Sequence, residues 1–306
     1  MHYNSDFEEL YYSNDYEKIL SFYYKFEDVE DIVEWLKNRP EAERKIYEFE
    51  GDSEVVFVIP TSDVNNQFSN YIKRTFKKYH LIFVESRGRY FNFSKSVNEG
   101  VKIAMKYKPK YVIISNDDIK VDNVDSLMSE ILNEDNRKVK AMIAGEGKNQ
   151  IVKVVKLSWI LPNMIRLIKG SNEVVKLFYD RISILNRFRL PFYLYIGENN
   201  LKTKMIFSLS KTVLEIYPKG KWGIFMTISS RFINTDYLLD PLYINGVEDI
   251  DLLIRLYKSE GEIKILKNKV KDLGSKSLGT SRIRHYRNII NFIYFNYKIL
   301  NKLLII

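Results

Sequence analysis

Two acidic groupings carry the chemistry open to this 306-residue sequence. Asn116-Asp117-Asp118 follows the apolar run Tyr111-Val-Ile-Ile-Ser115, and Glu248-Asp249-Ile-Asp251 opens a stretch that reaches Arg255. Adjacent carboxylates at the end of a strand can hold a hard divalent cation against a diphosphate. They can equally cap the next helix. A carboxylate within reach of a hydroxyl can take its proton as general base, an effect worth about 10²–10⁴-fold in rate. At a helix start the macrodipole and free N–H groups favour its charged form. Plain first-turn capping is the competing reading of Glu248, Asp249 and Asp251.

Other chemistries drop out. There is no cysteine, which excludes disulfides, thiolate catalysis and cysteine-built metal sites. His2, His80 and His285 are the only histidines, too few for a histidine-rich metal centre. No Gly-x-Gly-x-x-Gly and no Gly-x-x-x-x-Gly-Lys-Ser/Thr occurs, which disfavours dinucleotide oxidoreductases and P-loop enzymes. Phosphate is then left to a metal and to basic side chains.

The elements that must position the acids read as an α/β unit. Val55-Val-Phe-Val-Ile59, Leu81-Ile-Phe-Val84 and Tyr111 to Ser115 are buried strands. Helices are predicted over Asn70 to Tyr79 and Val97 to Ala104. Strand–helix–strand–helix–strand implies right-handed crossovers and a parallel sheet, with ligands at the carboxyl ends of its strands. Further strands are expected at Trp222 to Arg231, leading to a helix, and at Ile263 to Leu266.

Residues 1–50 hold 14 acidic against 6 basic residues, a net −8, which leaves +17 of the overall +9 for residues 51–306. A basic body suits an anionic partner, and a lysine-rich solvated surface is the bland alternative. The first 50 residues read as a helical, acidic extension, with helices at Val29 to Lys37 and Glu41 to Phe49. No signal peptide is expected at the start, and no segment reaches the roughly 18 apolar residues of a membrane span. Residues 150–222 read as an insert. There Phe188, Leu190, Phe192, Tyr193 and Tyr195 would form its core, an acceptor-binding wall or a membrane-docking surface. Residues 282–306 read as a basic amphipathic helix, packed on the domain or lying on an anionic membrane.

The order of motifs supplies a resemblance. Ile59-Pro-Thr61, Glu85, Phe91-Asn-Phe-Ser94, Asn98-x-Gly100, Ala104 and Asn116-Asp-Asp118 together resemble the donor half of the family-two, inverting, GT-A glycosyltransferases. Glu248-Asp-x-Asp-Leu-x-x-Arg255, followed by Gly261, is similar to that family's catalytic-helix signature. The resemblance covers about residues 54–290. It implies a GT-A-like, Rossmann-like mixed sheet flanked by helices, with a donor half at 51–149 and a catalytic half at 223–281.

It further implies an inverting hexosyltransferase that takes a sugar from a nucleoside-diphosphate sugar to a glycan, lipid-linked or protein acceptor. Pro60, Thr61, Asp63, Glu85, Asn92, Asn98, Asn116 and Asp117 would line the nucleotide-sugar site. Asp118, Asp117 and Asp272 would hold Mn²⁺ or Mg²⁺. Asp272 stands where the family often has His, and Asn116 replaces the first acid of a strict Asp-x-Asp. Asp249 is the expected base, Glu248 the second candidate, and Asp251 caps the helix or positions Arg255. The expected location is cytoplasmic, peripheral at the inner face of the membrane, with no nucleic-acid partner.

Two rivals stay open. A nucleotidyltransferase would want a Gly-rich basic loop after the first strand, and Pro60 to Asn66 has neither glycine nor a basic residue. A non-catalytic nucleotide-sugar or membrane binding protein on a degenerate scaffold is the other, kept open by Asn116 and Asp272.

Overall fold

The computed structural model describes residues 5–145, 152–157, 173–191, 193–196, 210–216, 221–233, 237–273 and 281–306. Three short helices, α1 (Ser5–Tyr11), α2 (Tyr16–Tyr24) and α3 (Val29–Lys37), come first. Asp15 caps α2 and Asp28 caps α3, each accepting a backbone N–H from the first turn. The sheet begins with β1 (Lys45–Phe49) and β2 (Asp52–Thr61). The expected helix over Glu41 to Phe49 is therefore a strand in its second half. Ile46, Tyr47 and Phe49 are β-formers, and β1 adds an antiparallel edge to β3 (Tyr79–Glu85).

Helix α4 (Gln67–Thr75) links β2 to β3, and α5 (Phe93–Ala104) leads to β4 (Tyr111–Ser115). β5 (Ile119–Val121), α6 (Val124–Leu132), β6 (Val139–Gly145) and β7 (Val152–Leu157) follow. The insert continues with α7 (Glu173–Arg187), β8 (Tyr193–Ile196) and β9 (Ser210–Ile216). β10 (Lys221–Ser229), α8 (Glu248–Lys258), β11 (Glu262–Asp272), α9 (Ser281–Arg287) and α10 (Ile289–Leu300) complete the order.

Eight strands form one mixed sheet in the order β1-β3-β2-β4-β10-β6-β11-β5. Its β3-β2-β4 portion is parallel, as the alternation of strands and helices predicted. β1 and β10 run antiparallel to their neighbours, so the whole is a mixed α/β sheet. β10 leads into a single 3-10 turn, Ser230–Phe232, where a helix was expected. The period-2 geometry of β2 sends Val55, Phe57 and Ile59 to a core under α4 and α6. Val56 and Val58 go to the opposite core, shared with α1–α3, α5, α8 and α10. Gly100 of α5 packs directly on Val58 and Val84, where a Cβ has no room. The Asn-x-Gly motif thus has a packing reason.

The insert forms a three-stranded antiparallel sheet, β8-β7-β9. Phe188 and Leu190 are buried in the core and Tyr193 packs against it, which fits the core reading of this segment. Phe192 and the Tyr195 side chain lie outside what is described. The tail differs from a surface helix. Ile289, Ile290, Phe292, Ile293 and Phe295 of α10 are buried, and so are Asn291, Asn296 and Lys298. A helix covered on all sides is a core helix, so of the two readings the tail follows packing on the domain, with its apolar face turned into the protein. Leu300 at its last position, and Leu303 and Ile305 beyond it, remain exposed. Among the described residues no helix is long and apolar enough to cross a membrane.

Candidate active site at the carboxyl ends of the strands

A cleft of about 1000 Å³ opens where β2 and β4 end and α8 begins. Pro60 and Thr61 form one wall; Asn116, Asp117 and Asp118 lie beside them; Glu248, Asp249 and Asp272 face the same space. Acids separated by more than 150 positions in the chain thus share one cavity.

β4 delivers the first group. Its five residues are buried, and β5 turns away after Asp118 to pair antiparallel with the end of β11. In that register Asp272 lies opposite Ile119, and the Leu273 N–H donates to the Asp118 carbonyl at 2.9 Å. Asp118 and Asp272 therefore sit on adjacent strand ends. Asp118 is buried and Asp272 exposed. Asp117 is a strut as well as a wall. Its Oδ2 accepts from Thr61 Oγ1 at 2.7 Å and from Asn66 Nδ2 at 3.2 Å.

The second group rests on an unusual turn. Asn245 and Val247 have φ of +50° and +77°, and Val247 is the N-cap residue of α8. Positive φ is rare for a β-branched residue and persists only where the surroundings enforce it. Here they do. Asn245 donates to the Phe91 carbonyl and accepts the Phe93 N–H; Asn291 of α10 bonds both the N–H and the C=O of Ile244. A Cβ on Gly246 would lie 2.6 Å from Asn288 Oδ1, so the turn is pressed against α9 and α10. No side chain of Val247 caps α8. Asp249 does so in part, accepting the Ile250 N–H at 2.9 Å.

Burial and then the Asp249 charge push the Glu248 carboxyl up to about 8. Its Oε2 is buried with no hydrogen-bond partner among the described residues. Asp249 is also raised by burial, opposed by the Ile250 amide and by Arg284. Two like charges side by side cannot both ionise freely. Ionising both is therefore disfavoured, and Asp249, half-buried and facing the cleft, is better placed than Glu248 to carry a charge.

Four expected nucleotide-site residues do structural work away from the cleft walls. Glu85 accepts the Val64 N–H at 2.9 Å, and Asp63 accepts the Asn65 N–H at 2.8 Å. Asn92 caps α5 and donates to the Pro241 and Tyr243 carbonyls. Asn98 brackets Leu238 and Leu239 by three backbone bonds. Asn92 and Asn98 thus hold the chain that leads into α8. Asp251 pairs with Arg255 at 2.8 Å, as expected.

Sequence reasoning missed Arg284 and Asn288, which line the cleft from α9 and the turn after it. The only signal was the basic spacing of the tail, which reads as readily as a membrane contact.

Oxygen donors on adjacent strand ends suit a hard divalent cation. Among the described residues no three His, Asp or Glu side chains converge into a metal cage. An ion held by Asp118 and Asp272 would complete its shell from diphosphate oxygens and water, as Mg²⁺ commonly does. Neither a scan against family models nor a search of curated proteins finds a match for this chain.

Proposed function

We propose that this protein is a GT-A-like inverting glycosyltransferase, which moves a sugar from a nucleoside-diphosphate sugar to an acceptor hydroxyl. The observation that carries the reading is one cleft lined by strand-end acids on one side and the Glu248–Asp249 pair on the other. A metal–diphosphate site and a base for an incoming hydroxyl need that arrangement.

Asp249 takes the acceptor proton as the acceptor oxygen attacks the anomeric carbon. The bond from that carbon to the diphosphate breaks, and the nucleoside diphosphate leaves from the opposite face. Glu248, protonated at neutral pH, keeps a second charge from competing with Asp249. Asp118 and Asp272 would hold Mn²⁺ or Mg²⁺, and such an ion would supply positive charge to a leaving diphosphate. Thr61 and Asn66 fix Asp117 beside them.

Thermal unfolding against nucleoside diphosphates, with and without Mn²⁺, tests the reading. A ligand at ~100 times its dissociation constant should add about 2.7 kcal/mol of stability. A metal-dependent shift with one nucleotide, lost in Asp118→Asn, is expected. No shift across the whole panel would overturn the proposal.

A further inference from the structure

We propose that the acceptor carries a phosphate group, held by Arg89, Arg284 and Arg287 in a side pocket opening off the cleft. The inference rests on the transferase reading and names the substrate class of its second site.

The side pocket has a volume of about 280 Å³ and shares Gly88, Phe91, Asn245, Arg284 and Asn288 with the main cleft. Tyr11 and Tyr12, at the end of α1, close its far side. Three guanidinium groups and no carboxylate line it among the described residues. Tyr12 is ringed by cations: the guanidinium carbons of Arg89 and Arg287 lie 4.9 and 5.6 Å from its ring centre.

Arg39, whose guanidinium also lies against the Tyr12 ring, shows what a structural arginine looks like here. It is buried and ion-paired with Glu8 at 3.2 Å. The pocket arginines are different. Among the described residues no hydrogen bond or ion pair engages Arg89 or Arg284, both of which are exposed. Arg287 donates through one terminal nitrogen to the Tyr12 and Ser13 carbonyls, at 2.8 and 3.1 Å, while its Nε is buried without a partner. Like charges gathered with no carboxylate in the pocket lining repel one another. A phosphate supplies the counter-charge, with several acceptor oxygens matched to guanidinium forks.

Position assigns this phosphate to the acceptor. The metal-side acids Asp118 and Asp272 line the main cleft but not the side pocket, so the donor diphosphate has its own place. Arg284 lies on the shared wall, and its charge acts on both Glu248 and Asp249. An acceptor anchored by its phosphate in the side pocket can extend past Arg284 and present a hydroxyl to Asp249.

Calorimetric titration of the full chain with inorganic phosphate tests this. Arg89→Gln and Arg284→Gln should each weaken binding about tenfold, the loss expected for one charge-assisted contact. Lys37→Gln, an exposed cation elsewhere, should leave it unchanged. The idea fails if wild type binds no phosphate, or if the Arg89→Gln/Arg284→Gln double variant binds it as wild type does. Repeating the titration with a bound nucleoside diphosphate separates the two sites. Simultaneous binding supports an acceptor pocket, and mutual exclusion overturns the acceptor assignment. Phosphate binding through these arginines in a chain that binds no nucleoside diphosphate would instead sink the transferase reading. Glucose 6-phosphate and phosphatidic-acid vesicles, each compared in wild type and Arg89→Gln, distinguish a soluble from a lipid-borne phosphate.

Discussion

Nζ of Lys298 lies 2.6 Å from Oδ2 of Asp251, with both side chains buried and one on α10, the other on α8. The same ammonium is 2.6 Å from Asp240, and Tyr243 and Tyr294 donate to the two carboxylates. Arg255 adds a second cation on Asp251. The helix bearing the candidate base is thus locked to the tail by a closed polar network.

Lys298→Met should destabilise the protein by about 3–5 kcal/mol, because it leaves two carboxylates buried against one remaining cation. Urea unfolding monitored by circular dichroism measures this. A loss below about 1 kcal/mol would mean that the network is not closed in solution.

Asp249→Asn should lower sugar transfer by about 10²–10⁴-fold, the usual worth of a general base. Glu248→Gln should keep wild-type activity within a few-fold at pH 6–7, because glutamine resembles the protonated acid already present. If the two variants lose activity equally, the division of labour proposed for the pair is wrong.

Stability should follow pH through Glu248. Its folded value is raised from 4.5 to about 8. The contribution is therefore fully present below about pH 4.5 and is lost as pH rises towards about 8. Glu248→Gln removes this loss, so at pH 8–9 it should be more stable than wild type by on the order of 2 kcal/mol. The gap should close at pH 5. Thermal melts across pH 5–9 give the comparison.

Asn291→Ala should strike the turn before α8. It strips partners from the Ile244 N–H and C=O, each worth about 1–3 kcal/mol when left buried and unpaired. We expect a loss of about 2–4 kcal/mol in stability and a fall in kcat larger than any change in KM for the donor. Hydrogen exchange at Ile244 to Val247 should rise. Unchanged exchange would show that the +77° φ of Val247 is held by something else.

How much of this was legible beforehand depended on range. Val55 to Ile59 and Tyr111 to Ser115 announce buried strands by their own side chains, and both are found. The strand-end acids could be expected in one cleft because parallel strands present their ends together. Glu41 to Phe49 misled, because its charge pattern suits an exposed helix while its pairing with β3 is decided by a neighbour more than 30 positions away. Asn92 and Asn98 bond backbone near α8, a role separate from the ligand contact expected of them and one that no local pattern reveals. Of the two readings of the tail, packing on the domain is the one found, for reasons equally remote in sequence. Its lysine points at two distant aspartates, and its apolar residues fill a core that only the folded chain defines.

Tyr23 donates to the Tyr286 carbonyl at 2.8 Å and accepts the Ile290 N–H at 3.1 Å, while Arg287 reaches back to the Tyr12 carbonyl at 2.8 Å. These contacts span more than 260 positions. Docking α1 and α2 against α9 and α10 therefore closes very long loops, which makes it a high-contact-order step of folding. The side pocket lined by Tyr11 and Tyr12 exists only once those distant segments have met.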